Sequence, residues 1–312
     1  MATARLPSLL SLLLPLTGFA AEHAEHAEHA PDGEAHEAHE ASEHEELLEY
    51  GVDLAFGLAT IETTSNGVTG ASRAWSTSLL LSAEHPTPHA TFGVRLPIVM
   101  GGLTAIEGDG ATRFAGVALG NLELEAAHHT ALGHGLDFEF SFELALPTST
   151  GIEAPKEQGA TVDEAAVMRG DILRAAEQVR GSQDSALFEP GRVGVVPKVA
   201  LTWRHGGWHL GAVAKLEVLA DVRGTSEEAI ITEFVGTARA AYDIAHVVEP
   251  FVHLWTNLSF AGVSRDMLIV EPGVRLTALG RLHPSLSAIV PLYGPLVSEH
   301  AFGVRAMLSG SF

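Results

Sequence analysis

The stretch Leu136–Leu146, LDFEFSFELAL, alternates strictly between apolar and polar positions. On an extended chain, Leu136, Phe138, Phe140, Phe142, Leu144 and Leu146 share one face, and Asp137, Glu139, Ser141 and Glu143 share the other. A strand lying on a soluble core can alternate in this way. Three Phe in a row on one face are costly in water and welcome in lipid, while the carboxylates opposite need water or a cation. A wall with lipid outside and a wet, charged lumen inside satisfies both demands.

The pattern recurs along the chain. From Tyr50 onwards about twelve strand-like runs alternate with turn signals, at 50–62, 73–84, 90–100, 113–128, 135–148, 192–205, 208–221, 230–245, 248–260, 266–281, 285–294 and 300–312. They predict an all-β fold, a closed antiparallel transmembrane β-barrel over residues 50–312 with both ends of its chain on the periplasmic side. The connections fit that orientation. TTSNGVTGAS, GGLTAIEGDGAT and VRGTSEEA are long and follow odd strands, whereas those at Gly206 and His246 are short. The longest, 149–191, carries a helical repeat at Ala165, Met168, Ile172, Ala176 and Val179. It is expected to be a helical extracellular insertion, either an ornament on a long loop or a lid or plug that folds into the mouth.

Two segments precede the barrel. Residues 1–20 carry Arg5, the apolar run Leu9–Leu16 and a small-x-small end at Gly18, Phe19 and Ala20, which is the pattern of a secretory signal peptide. The apolar run is too short to cross a bilayer as a helix. The chain has no Cys, which excludes disulfides and thiolate metal sites. The expected location is the outer membrane of a Gram-negative bacterium. Membrane lipid and the outer-membrane assembly machinery are the expected partners, and nucleic acid is not. Residues 21–49 read AEHAEHAEHAPDGEAHEAHEASEHEELLE, a low-complexity tail expected to be disordered in the periplasm. It holds eleven acidic residues, so without it the net charge of −21 falls to about −10.

The tail also holds six imidazoles: His23, His26, His29, His36, His39 and His44. Imidazoles interleaved with carboxylates suit Zn, Ni, Co or Cu(II) ions, and the plain alternative is a solvated acidic spacer. Each expected periplasmic turn of the barrel carries His as well: His85 and His89, then His128, His129 and His134, then His205 and His209, then His246 and His283. His253 lies close by, and the pattern suggests a metal-attracting rim beside the tail, although aromatic and polar residues favour a membrane interface anyway. No pair has the spacing of a structural zinc site.

Parity assigns the lumen. Arg95, Glu123, Glu125, Glu139, Glu143, Lys198, Lys215, Glu217, Arg239, Glu271 and Arg275 are the expected pore-lining residues, joined by Asp53, Asp137, Arg204, Glu233, Asp243, Glu249, His253 and Arg305. Acids outnumber bases, so a modest preference for cations is expected.

Four pieces of the barrel, FGVRLPIV from Phe92, GVALGNLELEAAH from Gly116, FELALPTSTG from Phe142 and EPGVRLTALGRLHPSLSAIVPLYG from Glu271, resemble a broad family of outer-membrane transporters, the "MetA-pathway of phenol degradation" family. The resemblance covers most of 50–312 and implies a barrel that passes small solutes, small hydrophobic or aromatic compounds among them. Asn121 stands where the family favours Asp, and the His-rich tail is not a family feature. Two other classes compete. A twelve-stranded outer-membrane phospholipase needs Ser, His and Asn on its outer face, and no such set is visible, so an enzyme is not expected. A structural or metal-scavenging barrel that conducts nothing is the other.

Overall fold

The computed structural model describes residues 48–312 apart from 66–67, 88–89, 106–112, 153–162, 184, 225–227, 262–265, 280–281 and 312. The expected signal peptide and all six tail His therefore lie outside the described residues, as does His89.

The strands are β1 (Glu49–Ser65), β2 (Val68–Pro86), β3 (Ala90–Ala105), β4 (Arg113–Leu119), β5 (Leu122–Gly133), β6 (Leu136–Leu146), β7 (Arg192–His205), β8 (Trp208–Asp221), β9 (Ile230–Tyr242), β10 (Val248–Ala261), β11 (Met267–Leu276), β12 (Leu282–Tyr293) and β13 (Phe302–Ser311). Helix α1 (Glu164–Val179) and the single turn α2 (Ser185–Phe188) lie between β6 and β7, and a second short turn, α3 (Pro295–Ser298), between β12 and β13. All pairings are antiparallel, and β1 closes on β13 from Glu49↔Ser311 to Leu58↔Phe302. The thirteen strands make twelve staves, because β3 pairs with β5 through Ala90–Arg95 and with β4 through Ile98–Thr104. The fourth stave is thus one strand broken at Gly120–Asn121. Both ends of the barrel chain lie at one mouth, here the tail end; the helices enter from the other, here the plug end.

The wall sorts its side chains as the alternation requires. Phe138, Phe140 and Phe142 are exposed on the outer surface, along with Leu54, Phe56, Phe92, Val117 and Leu201. Between them Ser141 and Glu143 are buried inside. An outward apolar belt over an inward polar face has no use in water and fits a lipid surround.

Several expected boundaries shift, among them those of β3, which runs on to Ala105, of β5, which runs on to Gly133, and of β12, which starts at Leu282. β1 and β2 have 17 and 19 residues and pair as far as Ser65↔Val68, so most of TTSNGVTGAS is strand rather than loop. A membrane needs only about 9–11 residues per strand, so both strands of this hairpin are longer than a span requires. The ninth strand stops at Tyr242, because Ala245 and His246 adopt positive φ (54° and 56°) in the turn that follows. The eleventh stops at Leu276.

Candidate channel lumen and its internal plug

The segment after β6 does not stay outside. Residues Ala166, Val167, Gly170 to Leu173, Ala175 to Glu177 and Val179 of α1 are all buried, as are all four residues of α2. Of the two forms expected for the insertion, ornament and plug, the structure has the plug, which begins at the plug end and runs down into the lumen. The expected apolar stripe is corrected. Ala165 is exposed and Met168 only half-buried, while Leu173, Ala175 and Glu177, off the stripe, are buried because wall surrounds the helix.

The helix starts where Asp163 caps it, accepting hydrogen bonds from the backbone N–H of Ala165 and Ala166 at 3.0 and 3.2 Å. It ends where Gly181 turns left-handed (φ 69°) and Ser182 N–H donates back to Glu177 O at 2.8 Å. At 16 residues it is about 24 Å long, enough to fill much of the depth of a membrane.

A groove of small side chains receives it. Ala55 and Ala59 on β1, Ser72, Ala74, Ser76 and Ser78 on β2, and Ala118 on β4 are buried on the inner face. The approach is closest at β13, where a Cβ on Gly303 would sit 2.0 Å from Val179 O. On this wall Ile172, Leu173 and Ala176 pack with Leu80, Val99, Ala118, Leu187 and Phe188. Ala175 and Val179 belong to a second cluster that includes Trp255, Ile269 and Ile289 from β10, β11 and β12. The helix therefore bridges the lumen from wall to wall.

Polar latches fix the plug within this apolar packing. Arg180 pairs with Asp53 and donates to Ser78 Oγ at 3.2 Å, both from a fully buried position. Arg305 donates to the same Asp53 oxygen at 3.0 Å and to Gln183 Oε1 at 2.9 Å. Trp255 Nε1–H donates to Gly181 O at 3.2 Å, and Gln178 donates to Glu299 at 2.8 Å.

The root of the plug is tied at the broken stave. Asn121, 0% exposed, donates its side-chain amide to Ala186 O and Glu189 O, each at 2.8 Å, and receives Ser149 N–H at 3.2 Å. Its backbone N–H donates to Leu187 O at 2.7 Å, a bond that replaces the sheet ladder at this point. Gly120 has no side chain for a matching reason, since a Cβ there would lie 2.3 Å from Leu187 O. Thr148 and Thr150, from the PTST stretch that ends β6, accept the N–H groups of Leu122 and Leu119 on either side of the break, at 2.8 and 3.0 Å.

Towards the tail end the lumen is lined by ion pairs. Lys198 Nζ lies 2.6, 3.0 and 3.5 Å from Glu125, Glu143 and Glu139. Lys215 lies 3.1 Å from Glu217 and 3.6 Å from Glu143, and Arg95 pairs with Glu123 and, at 3.3 Å, with Glu143. Across the barrel, Glu249 receives Arg239 at 2.8 Å, Arg275 and His209. Glu271 receives Arg305 at 3.2 Å and faces His253 at 3.4 Å. Of the residues expected to line the pore, most are joined in these two constellations, whereas Asp137 is exposed and Asp243 lies in the turn after β9, paired with His246.

The rim His do not converge. His85 and His128 stand opposite Phe92 and Phe140 on the outer face, whereas His129 and His209 turn inward to Glu139 (3.5 Å) and Glu249. His134 occupies a left-handed turn position (φ 55°), and His205 stacks on Trp203. Among the described residues, no group of three or more His, Asp or Glu is placed to hold a metal ion. Sequence reasoning missed Arg180, Gln183 and Asn121, which lie in or against the insertion.

The wall, its apolar belt and its closure define a twelve-stave β-barrel of the outer-membrane type. The fold is similar to that of an outer membrane channel from Pseudomonas putida F1, with 13% identity and a TM-score of 0.57 over 85% of this chain and 96% of the other. The KdgM porin aligns over 84% of this chain and 99% of its own, at 9% identity and a TM-score of 0.42. No protein family and no curated protein matches the chain by sequence.

Proposed function

We propose that this barrel is a channel for small solutes in the outer membrane, with the tail end facing the periplasm, and that α1 and α2 close it in the conformation described. The observation that carries this reading is the contrast between wall and plug. A barrel built only as scaffold has no need of an inner wall with eight buried acids and six buried bases on its described strands, nor of a helical segment seated against it. The role of the Pseudomonas putida protein, and the resemblance to transporters of small compounds, support the same reading.

The excess of acids favours cations. In planar bilayers, the full chain is expected to conduct weakly, and a chain with 152–188 replaced by a short Gly–Ser linker to conduct strongly, with a reversal potential in a KCl gradient on the cation side. Silence of the shortened, folded barrel would leave a structural barrel instead.

The His-rich tail belongs to the same proposal as a capture device for transition-metal ions at the tail end, supported by its six His among eleven acids. Coordination requires neutral imidazole, so binding is expected to weaken as pH falls through about 6.5. Calorimetry of the full chain against a chain lacking 21–49, with Zn, Ni and Cu(II) at pH 7.5 and 5, tests this. Equal heats from both chains remove the tail from the account.

A further inference from the structure

We infer that Asn121 is the positioning residue of the plug: its side-chain amide, held where the fourth stave breaks, clasps the α2 turn to the wall and keeps the lumen closed. The inference rests on the reading of α1 and α2 as the closure of a channel.

The chemistry is specific to an amide. The carbonyls of Ala186 and Glu189 both point at Nδ2 from 2.8 Å, and that of Arg192 lies at 3.5 Å. Three carbonyl oxygens converging on one point demand a donor with two N–H groups, and at this size only Asn supplies them. On its other side Oδ1 accepts Ser149 N–H, so the same side chain joins the end of β6 to the start of β7, the two strands between which the whole insertion hangs. The stave gives up its ladder at Gly120–Asn121 to make this joint: Asn121 N–H turns to Leu187 O, and the Thr148 and Thr150 hydroxyls take the neighbouring N–H groups. With the amide gone, the root of the plug retains apolar contacts but loses the group that faces its carbonyls. A buried carbonyl deprived of its donor bears the full cost of its lost solvation.

An Asp in the same place has the same shape and the opposite effect, because a carboxylate presents oxygen to oxygen. A role in packing alone makes Asn121→Asp the mild variant and Asn121→Ala the severe one. The amide clasp reverses that order.

The test uses the absence of native Cys. Ser185, 0% exposed on α2, is replaced by Cys, and its labelling by a maleimide is followed in the folded full-length barrel, with heat-dependent gel mobility as the check on folding. Relative to Ser185→Cys alone, adding Asn121→Asp is expected to speed labelling by at least about tenfold, and adding Asn121→Ala by less. Conductance of the same chains should rise in the same order. Unchanged labelling in the folded Asp variant overturns the inference, as does a larger effect of Ala than of Asp. If labelling rises as expected while neither the variants nor the 152–188 deletion conducts, the clasp stands and the channel reading falls. If the deletion conducts but Asn121→Asp labels and conducts as the parent does, the channel stands and the clasp falls.

Discussion

The two halves of the lumen hold together by different rules. Around the plug, apolar side chains of α1 and α2 fill the space between walls, and the polar ties are few: Asn121 holds α2, while Asp53 and Arg305 together hold Arg180 and Gln183. At the tail end, polar contacts overlap. Lys198 reaches three carboxylates, and Glu143 serves Lys198, Lys215 and Arg95 at once. Overlap makes the tail half tolerant of losing any one charge, whereas the plug half depends on single groups.

The largest expected effect comes from Asp53→Ala, which removes the carboxylate that joins Arg180 of the plug to Arg305 of the wall. Breaking a buried pair costs about 3–5 kcal/mol. Hydrogen exchange should show α1 amides losing protection while the strands keep theirs, and an unchanged α1 would erase the contrast between the halves. Leu173→Ala comes next, at about 2–4 kcal/mol for a fully buried core position, read as a lower temperature for loss of α1 protection.

Gly303→Val should follow, at about 1–3 kcal/mol, because the new side chain presses on the backbone of Val179. Its signature is increased conductance from a barrel that melts nearly as the parent does. The smallest effect is expected of Glu143→Gln, which keeps the shape while Lys198 keeps Glu125 and Glu139, Lys215 keeps Glu217 and Arg95 keeps Glu123. A loss as large as that of Asp53→Ala would show that the tail-half network is not redundant.

The sequence shows the barrel more readily than its contents. The seventh and eighth strands match their expected spans, 192–205 and 208–221, because alternation and the Gly206–Gly207 turn act over neighbouring residues. The helix at 164–179 is equally visible as a repeat, but periodicity does not say what surrounds a helix. The available signal was on the strands: Ala55, Gly57 and Ala59 beside Ser72, Ala74, Ser76 and Ser78 make an inward surface too small to fill a lumen unaided. The break at Asn121 is harder to foresee, because its partners Ala186 and Glu189 lie 65 and 68 residues away. The His at the turns mislead for a simple reason. Neighbours such as His128 and His129 flank one turn yet face opposite sides of the wall.

The position of α1 has a consequence for how the molecule is made. The helix comes from the middle of the chain, yet it leans on the first strand and the last, through Asp53 on β1 and Gly303 and Arg305 on β13. Those two strands meet only when the cylinder is zipped shut, so the berth for the helix is incomplete until that final joint forms. An unfinished barrel then carries its helix loose, and seating the helix staples the seam from within. A barrel joined out of register would leave the helix without this berth.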